Sequence, residues 1–402
     1  MVLAFALTRP HEAFDTSAYC RARAKLPTPL LERLALDVGY HLEEQVPADW
    51  LWHGRHAYLV DGSTSRLPDT PENQQFYPQP KTQKPGLGLP LIRWVVLVSL
   101  ATACVLGLAY GPYKGKQTGE TALFRQLLGQ LQPGAVVVAD RYYCSYFMVA
   151  ALLSCDVDVV LRLHQRRRYD FSRGRRLGRY DHVVVWQRPP RPPWMDEETY
   201  AQVPKTLEVR EIRRRVQAPG SRVQELTLVT TLCDTEVYPA DDIAELYGER
   251  WQVELDIRTL KATLGLSDLR CLTPFMVAKE LWVHCLGYNL VRKVAAQAAV
   301  LSGRSPRSIS FKASQQALLG SWDSLSLQAD EKEARRIGLG LLQALAKEKV
   351  GDRPGRCEPR AIKRRPKAHK LLKEARGAAK ARLLKSWRGL ASRKSAVPVA
   401  RR

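Results

Sequence analysis

Acidic residues are scarce in this 402-residue chain: 40 Asp and Glu stand against 63 Lys and Arg, giving a formal net charge of +23 and a pI near 9.9. Such a surplus selects a polyanionic partner, nucleic acid first and an acidic membrane surface second. Paired cysteines are missing too. The eight (Cys20, Cys104, Cys144, Cys155, Cys233, Cys271, Cys285 and Cys357) form no C-x-x-C, so neither a zinc ribbon nor a disulfide framework is indicated. No apolar run is long enough to span a bilayer: Trp94–Ala109 (WVVLVSLATACVLGLA) falls short of the roughly 20 residues required and is rich in β-branched residues. It reads instead as two buried strands, Ile92–Val98 and Cys104–Ala109, joined near Ala101–Thr102. The opening MVLAFALTRPHEAFD lacks a basic leader and a small-residue cleavage site, so no signal peptide is expected and a cytoplasmic location is. Gly111–Gly119 (GPYKGKQTG) lacks the spacing of a phosphate-binding loop. His53 and His56 have no further ligand at zinc spacing and read as ordinary surface histidines, and Cys144 has no nearby His to make it a nucleophile.

What is present is the composition of a folded protein, 45% hydrophobic and 26% charged, with length enough for two or three packed units. The charge is concentrated. Arg353–Arg402 holds 18 Lys and Arg against two acids, and Val160–Gly220 holds 15 against seven, leaving a nearly neutral body. Helical spacing marks Ser17–Leu26 and Leu30–Gln45. A strand at His56–Asp61 and the two buried strands follow, then an amphipathic helix at Gly119–Leu131, a strand at Ala135–Asp140 (AVVVAD), a helix at Tyr143–Leu153 and a strand at Val157–Leu163. This strand, strand, strand, helix, strand, helix, strand order is an α/β arrangement of the ribonuclease H-like kind. Strand-like alternation in Asp181–Gln187, Lys205–Arg213 and Gln224–Leu232 marks a basic, β-rich insertion, and helix resumes at Ala240–Leu264 and Pro274–Ser302. The expected organisation is an N-terminal helical region (1–54), a ribonuclease H-like mixed sheet with flanking helices (55–163), the β-rich insertion (164–236), the rest of the core (237–302), and a C-terminal helical region with a basic tail (303–402).

Two acids close strands. Asp61 is followed by the polar turn Gly62-Ser63-Thr64, and Asp140 ends AVVVAD; acids on neighbouring strand ends can converge where open α/β sheets hold ligands. Each taken singly also suits a turn or a cap. A more specific signal lies in Tyr247–Lys261 (YGERWQVELDIRTLK), where Tyr247, Arg250, Glu254 and Lys261 recur as Y-x2-R-x3-E-x6-K. At about 100° per residue these four fall within roughly 60° of one helix face. A solvated face with an Arg250–Glu254 pair is the plain alternative, but Trp251 sets an aromatic ring beside the charges.

With that spacing, the Asp of VDGST, the Asp of VVVADRYY and the stretch QPKTQKPGLGLPLIR between them, the chain resembles the DDE transposases of bacterial insertion sequences, in particular the insertion sequence four family. RPGRCEPRAIKRRPK (Arg353–Lys367) resembles that family's C-terminal end. The resemblance implies a metal-binding catalytic triad of Asp61, Asp140 and Glu254, holding two Mg²⁺ ions, with Mn²⁺ as a substitute. It implies that Tyr247, Arg250 and Lys261 bind phosphates beside the scissile bond, and it offers Trp251 as a stacking surface for an unpaired base, with a core Trp as the alternative. It further implies cut-and-paste transposition, with double-stranded DNA as partner (inverted-repeat ends and target), a homodimer on DNA, a bacterial, nucleoid-associated location and no membrane. One departure stands out. Only 60 residues precede Asp61, fewer than the family's usual N-terminal helical domain, so either end recognition is compressed here and into the tail or the reading frame begins late. Two other readings stay open: an inactive or truncated transposase that only binds DNA, and a ribonuclease H-like nuclease that cuts without joining.

Overall fold

The computed structural model describes residues 16–216, 224–326, 330–348 and 372–394. The expectations for the first fifteen residues and for Arg353–Lys367 lie outside these. Two helices come first, α1 (Thr16–Lys25) and α2 (Thr28–Glu43), close to the expected bounds. Then follow β1 (Ala57–Arg66), α3 (Pro71–Phe76), β2 (Leu91–Ser99), β3 (Val105–Pro112), α4 (Glu120–Arg125), β4 (Val136–Ala139), α5 (Tyr146–Leu153) and β5 (Asp158–Arg162). The insertion supplies β6 (Arg175–Gly178), β7 (Asp181–Gln187), α6 (Glu197–Gln202), β8 (Thr206–Val216) and β9 (Gln224–Thr230). Helices α7 (Ala240–Glu249), α8 (Trp251–Arg258), α9 (Pro274–Ser302), α10 (Phe311–Ser326), α11 (Glu331–Lys347) and α12 (Arg376–Lys394) complete the described chain.

All nine strands form one sheet in the order β3-β2-β1-β4-β5-β9-β8-β7-β6. The first five have the ribonuclease H-like pattern: β1, β2 and β3 run antiparallel, while β4 pairs parallel with β1 and β5 parallel with β4. The apolar run Trp94–Ala109 is the β2–β3 hairpin and not a helix, and among the described residues no helix is long and apolar enough to cross a membrane. The insertion extends the same sheet, because β9 pairs antiparallel with β5 at Val160–Arg162.

Alternation along the strands assigns side chains to two cores. Ala57, Leu59, Val136, Val138 and Val160 face a core made with α7, α8 and α9, whereas Tyr58, Val60, Val137, Ala139 and Leu161 face one made with α4 and α5. Strand β4 is buried on both sides, as its unbroken apolar run requires, and each such Val contributes roughly 1.5–3 kcal/mol by leaving water.

Polar ties fix the helices to this frame. Asn289 of α9 donates through Nδ2 to the Ala35 and Val105 carbonyls and accepts from the Val105 N–H, clamping α2, α9 and β3 together. Gly39 of α2 sits so close to β3 that a Cβ there would lie 2.8 Å from the Val105 carbonyl oxygen. Asp256 of α8, fully buried, accepts from Tyr288 and Arg292 of α9 and from Arg307, which also donates to the Ser99 and Leu100 carbonyls.

Several boundaries differ from expectation. The helix expected over Gly119–Leu131 is α-helical only to Arg125 and continues as a 3-10 turn at Leu128–Gln130, where Gly129 and the approaching Pro133 disfavour further α-helix. Helix α5 begins at Tyr146 because the Ser145 side chain caps it by accepting from the Met148 N–H. The single helix expected over Ala240–Leu264 is three pieces: α7, α8 after a break at Arg250, and a π turn at Thr259–Thr263.

Candidate active site

Strands β1 and β4 are parallel neighbours whose last paired residues are Val60 and Ala139. Asp61 and Asp140 are the next residue of each, so the two carboxylates leave the sheet at the same level and on the α8 face. The expectation that Asp61 closes its strand is corrected here. β1 runs on to Arg66, and Gly62, Ser63 and Thr64 are strand, not turn, since β2 continues to pair with them up to Arg66 opposite Leu91. Asp61 is open only toward β4, which stops at Ala139.

Helix α8 lies over these strand ends. Its Glu254, half-buried, accepts from Arg250 Nη2 at 2.7 Å, and the Arg250 guanidinium also feels Tyr247 and Asp140. Burial alone would lower the pKa of Arg250, but these three groups more than offset it. Burial pushes the Asp61 carboxyl up to about 6. The Gly62 N–H bonded to its Oδ1 and the Arg250 charge act against that rise, and Glu120 and Glu254 add to it. Asp61, Asp140, Glu254 and Arg250 thus share one electrostatic neighbourhood. Tyr247 is buried against the core beneath Arg250, and burial raises the pKa of its phenol.

Lys261 comes from the π turn, a feature often found at functional sites. Its Nζ lies 3.0 Å from Ser63 Oγ, two residues along β1 from Asp61, and burial lowers its pKa. All four residues of the stripe therefore meet the strand ends, although the helix that carries them is not continuous. Trp251, the first residue of α8, is half-buried.

Two further residues belong here. Glu120, in the first turn of α4, packs so closely under Gly62 that a Cβ there would sit 2.6 Å from its carboxyl carbon, and burial raises its pKa. Arg162, at the end of β5 on the α8 face, feels Tyr247. The first offered only a helix-start acid as signal, the second a cation closing an apolar strand. His53 is an exposed residue paired with Asp242, as expected of a surface histidine, whereas His56 is half-buried and bonded to the buried Glu43.

The donors fit a hard divalent cation in chemistry, since carboxylate oxygens are the ligands such ions take. Asp61 is held up chiefly by burial, with Glu120 and Glu254 adding to the rise, and a cation would favour its charged form. Among the described residues no three His, Cys, Asp or Glu are drawn close enough together to hold an ion, and Arg250 supplies the positive charge at this place.

Asp61 of β1 and Asp140, the residue after β4, thus lie at the same level of a ribonuclease H-like sheet, faced by the helical segment that carries Tyr247, Arg250, Glu254 and Lys261. The transposase DDE domain family matches residues 52–290, more than half of the chain, and the chain belongs to that family. Over 304 residues it is 27% identical to the transposase InsG for insertion sequence element IS4 of Escherichia coli (strain K12), covering 74% of this chain and 65% of that protein. The chain thus spans slightly less than two thirds of that relative, and the resemblance to the insertion sequence four family holds. Among solved structures, the cryo-EM structure of the piggyBac transposase synaptic complex with hairpin DNA is similar at 11% identity and a TM-score of 0.40, covering 74% of this chain and 58% of that one.

Proposed function

We propose that this protein is a DNA transposase that cuts the ends of an insertion sequence and joins them to target DNA, with Asp61, Asp140 and Glu254 as its catalytic carboxylates. The observation that carries this reading is electrostatic: Arg250 feels both Glu254 and Asp140, and Asp61 feels Arg250 and Glu254, all within the family-matched region. Asp61, Asp140 and Glu254 would hold two Mg²⁺ ions, or Mn²⁺ in their place. When bound, such ions activate a water or 3′-hydroxyl and stabilise the leaving oxygen. Arg250 offers a planar fork to a phosphate once Glu254 turns to its metal role, and Lys261 offers a point charge from Ser63. Tyr247 supports the Arg250 stem from below, and Trp251 stands at the same helix end as a stacking surface. Both transposon ends must be held at once, so a homodimer on double-stranded DNA follows, acting where the bacterial chromosome is. The basic tail and insertion supply salt-sensitive, sequence-independent affinity.

The test is a cleavage and strand-transfer assay on DNA carrying the ends of the protein's own element, with Mg²⁺ or Mn²⁺ and Asp140→Ala as control. Metal-dependent nicking with joined product, lost in the variant, supports the proposal. Cutting without joining identifies a nuclease, and binding without cutting identifies a DNA-occupying protein.

A further inference from the structure

A second concavity of about 620 Å³ opens on the other side of the Asp140 loop, against the core made by α4 and α5. Its walls come from α4, the segment after β4, the segment after β5 and the insertion, and among its lining residues there is no Asp or Glu. Its cations lie on aromatic faces. The Arg125 guanidinium is 3.8 Å from the ring centre of Trp194, which meets Phe147 edge-on, and Arg167 is 3.6 Å from that of Trp186. Burial lowers the pKa of both guanidiniums. Glu211, whose charge Arg167 feels, is buried behind Trp186 and accepts from the Trp186 indole N–H while also contacting His182. Among the described residues, Gln117 is the one side chain hydrogen-bonded to Arg125. Exposed Arg166 adds charge, and Tyr142, 54% exposed, stands at the mouth two residues beyond Asp140.

Flat rings beside guanidiniums that no carboxylate claims are what a nucleic-acid strand with unstacked bases needs. The phosphates find cations and the bases find π faces, whereas in a duplex those faces are already stacked. We infer that this cleft binds a short unpaired stretch of DNA, its bases on Tyr142 and Trp194 and its phosphates on Arg125, Arg166 and Arg167. The assignment of that stretch to the strand leaving the cut rests on the transposase reading; the binding itself does not.

The experiment uses the full chain without metal and a short thymidine oligonucleotide containing iododeoxyuridine, so cleavage plays no part. Irradiation of the wild-type protein followed by peptide mapping should place the crosslink at Tyr142 or Trp194. In parallel, Tyr142→Ala should weaken oligonucleotide binding about fivefold or more, with a duplex of equal length affected less than twofold. Tyr142→Phe should restore it, and the double change Arg166→Gln with Arg167→Gln should flatten its salt dependence. Crosslinks confined to residues outside the cleft, or equal losses on duplex and single strand, would overturn the inference. If crosslinking at Tyr142 persists in a protein that fails to cleave, the proposed function falls and this site stands.

Discussion

On the α8 side of the Asp140 loop, the acids Asp61, Asp140 and Glu254 lie around Arg250 and next to the buried ion pairs of Asp256; on the α4 side, guanidiniums lie on indoles and, among the described residues, no Asp or Glu lines the cleft. The acidic side is rigid because Asp256, two residues from Glu254, locks α8 to α9 and to the β2–β3 turn through Arg292 and Arg307. The basic side is held by stacking, which tolerates exposure and leaves charge free for a ligand. The Asp140 loop thus separates a face that carries acids from a face that carries cations and rings. Glu254→Gln should break the acidic side outright. Metal-dependent nicking should fall roughly a thousandfold, the scale of several kcal/mol of transition-state charge stabilisation. Duplex binding, measured by anisotropy, should stay within about twofold, because Arg250, Lys261 and the basic insertion all keep their charges.

Next in size is Asp256→Asn, which leaves Arg292 and Arg307 facing a neutral amide in a buried place. Removing one partner of a buried ion pair costs about 3–5 kcal/mol, so thermal or urea unfolding should show a large loss. Arg167→Gln on the basic side should cost far less, since its ring contact is partly open. Equal losses would erase the difference in how the two sides are held.

Much of the acidic side was legible in the sequence because its signals are periodic or terminal. AVVVAD could only be a central strand, and the Tyr247–Lys261 spacing pointed to one face. The Gly62–Thr64 strand was not legible, because its pairing is set by β2, some thirty residues on, and polar residues there look like a turn. Nor was the π turn, whose backbone shift leaves no compositional mark yet delivers Lys261 to Ser63. The basic cleft escaped entirely: Arg125, Tyr142, Arg167 and Trp194 come from four separate segments, and no local pattern joins them.

Asp61→Asn should sharpen the contrast in the opposite direction. Its carboxyl has a folded pKa near 6, above the ordinary 3.8, so ionising it costs the folded state. The sign follows: the cost is absent below about pH 3.8, grows as pH rises toward 6 and is complete above it. The Asn variant should therefore unfold on the order of 2 °C or more above wild type at pH 7.5 without metal, while losing nicking. That gain should shrink as the pH is lowered through 6, and calorimetry across this range would check it. A variant less stable at neutral pH would mean that burial does not penalise the Asp61 carboxylate.

The smallest effect is expected at the rim, where Asp268 pairs with Arg66 at 2.6 Å although both side chains are more than half exposed. Such pairs contribute only about 0–1 kcal/mol, since water screens them. The backbone already fastens this corner, with the Arg66 N–H on the Ser267 carbonyl and the Leu269 N–H on the Arg66 carbonyl, both at 3.0 Å. Asp268→Asn should therefore leave unfolding by urea almost unchanged. It should instead tighten duplex binding slightly at low salt, because Arg66 lies beside Lys261 in the same hollow and would be released toward a phosphate. A marked loss of stability would show that this pair, and not the backbone bridge, holds β1 to the end of the α8 segment.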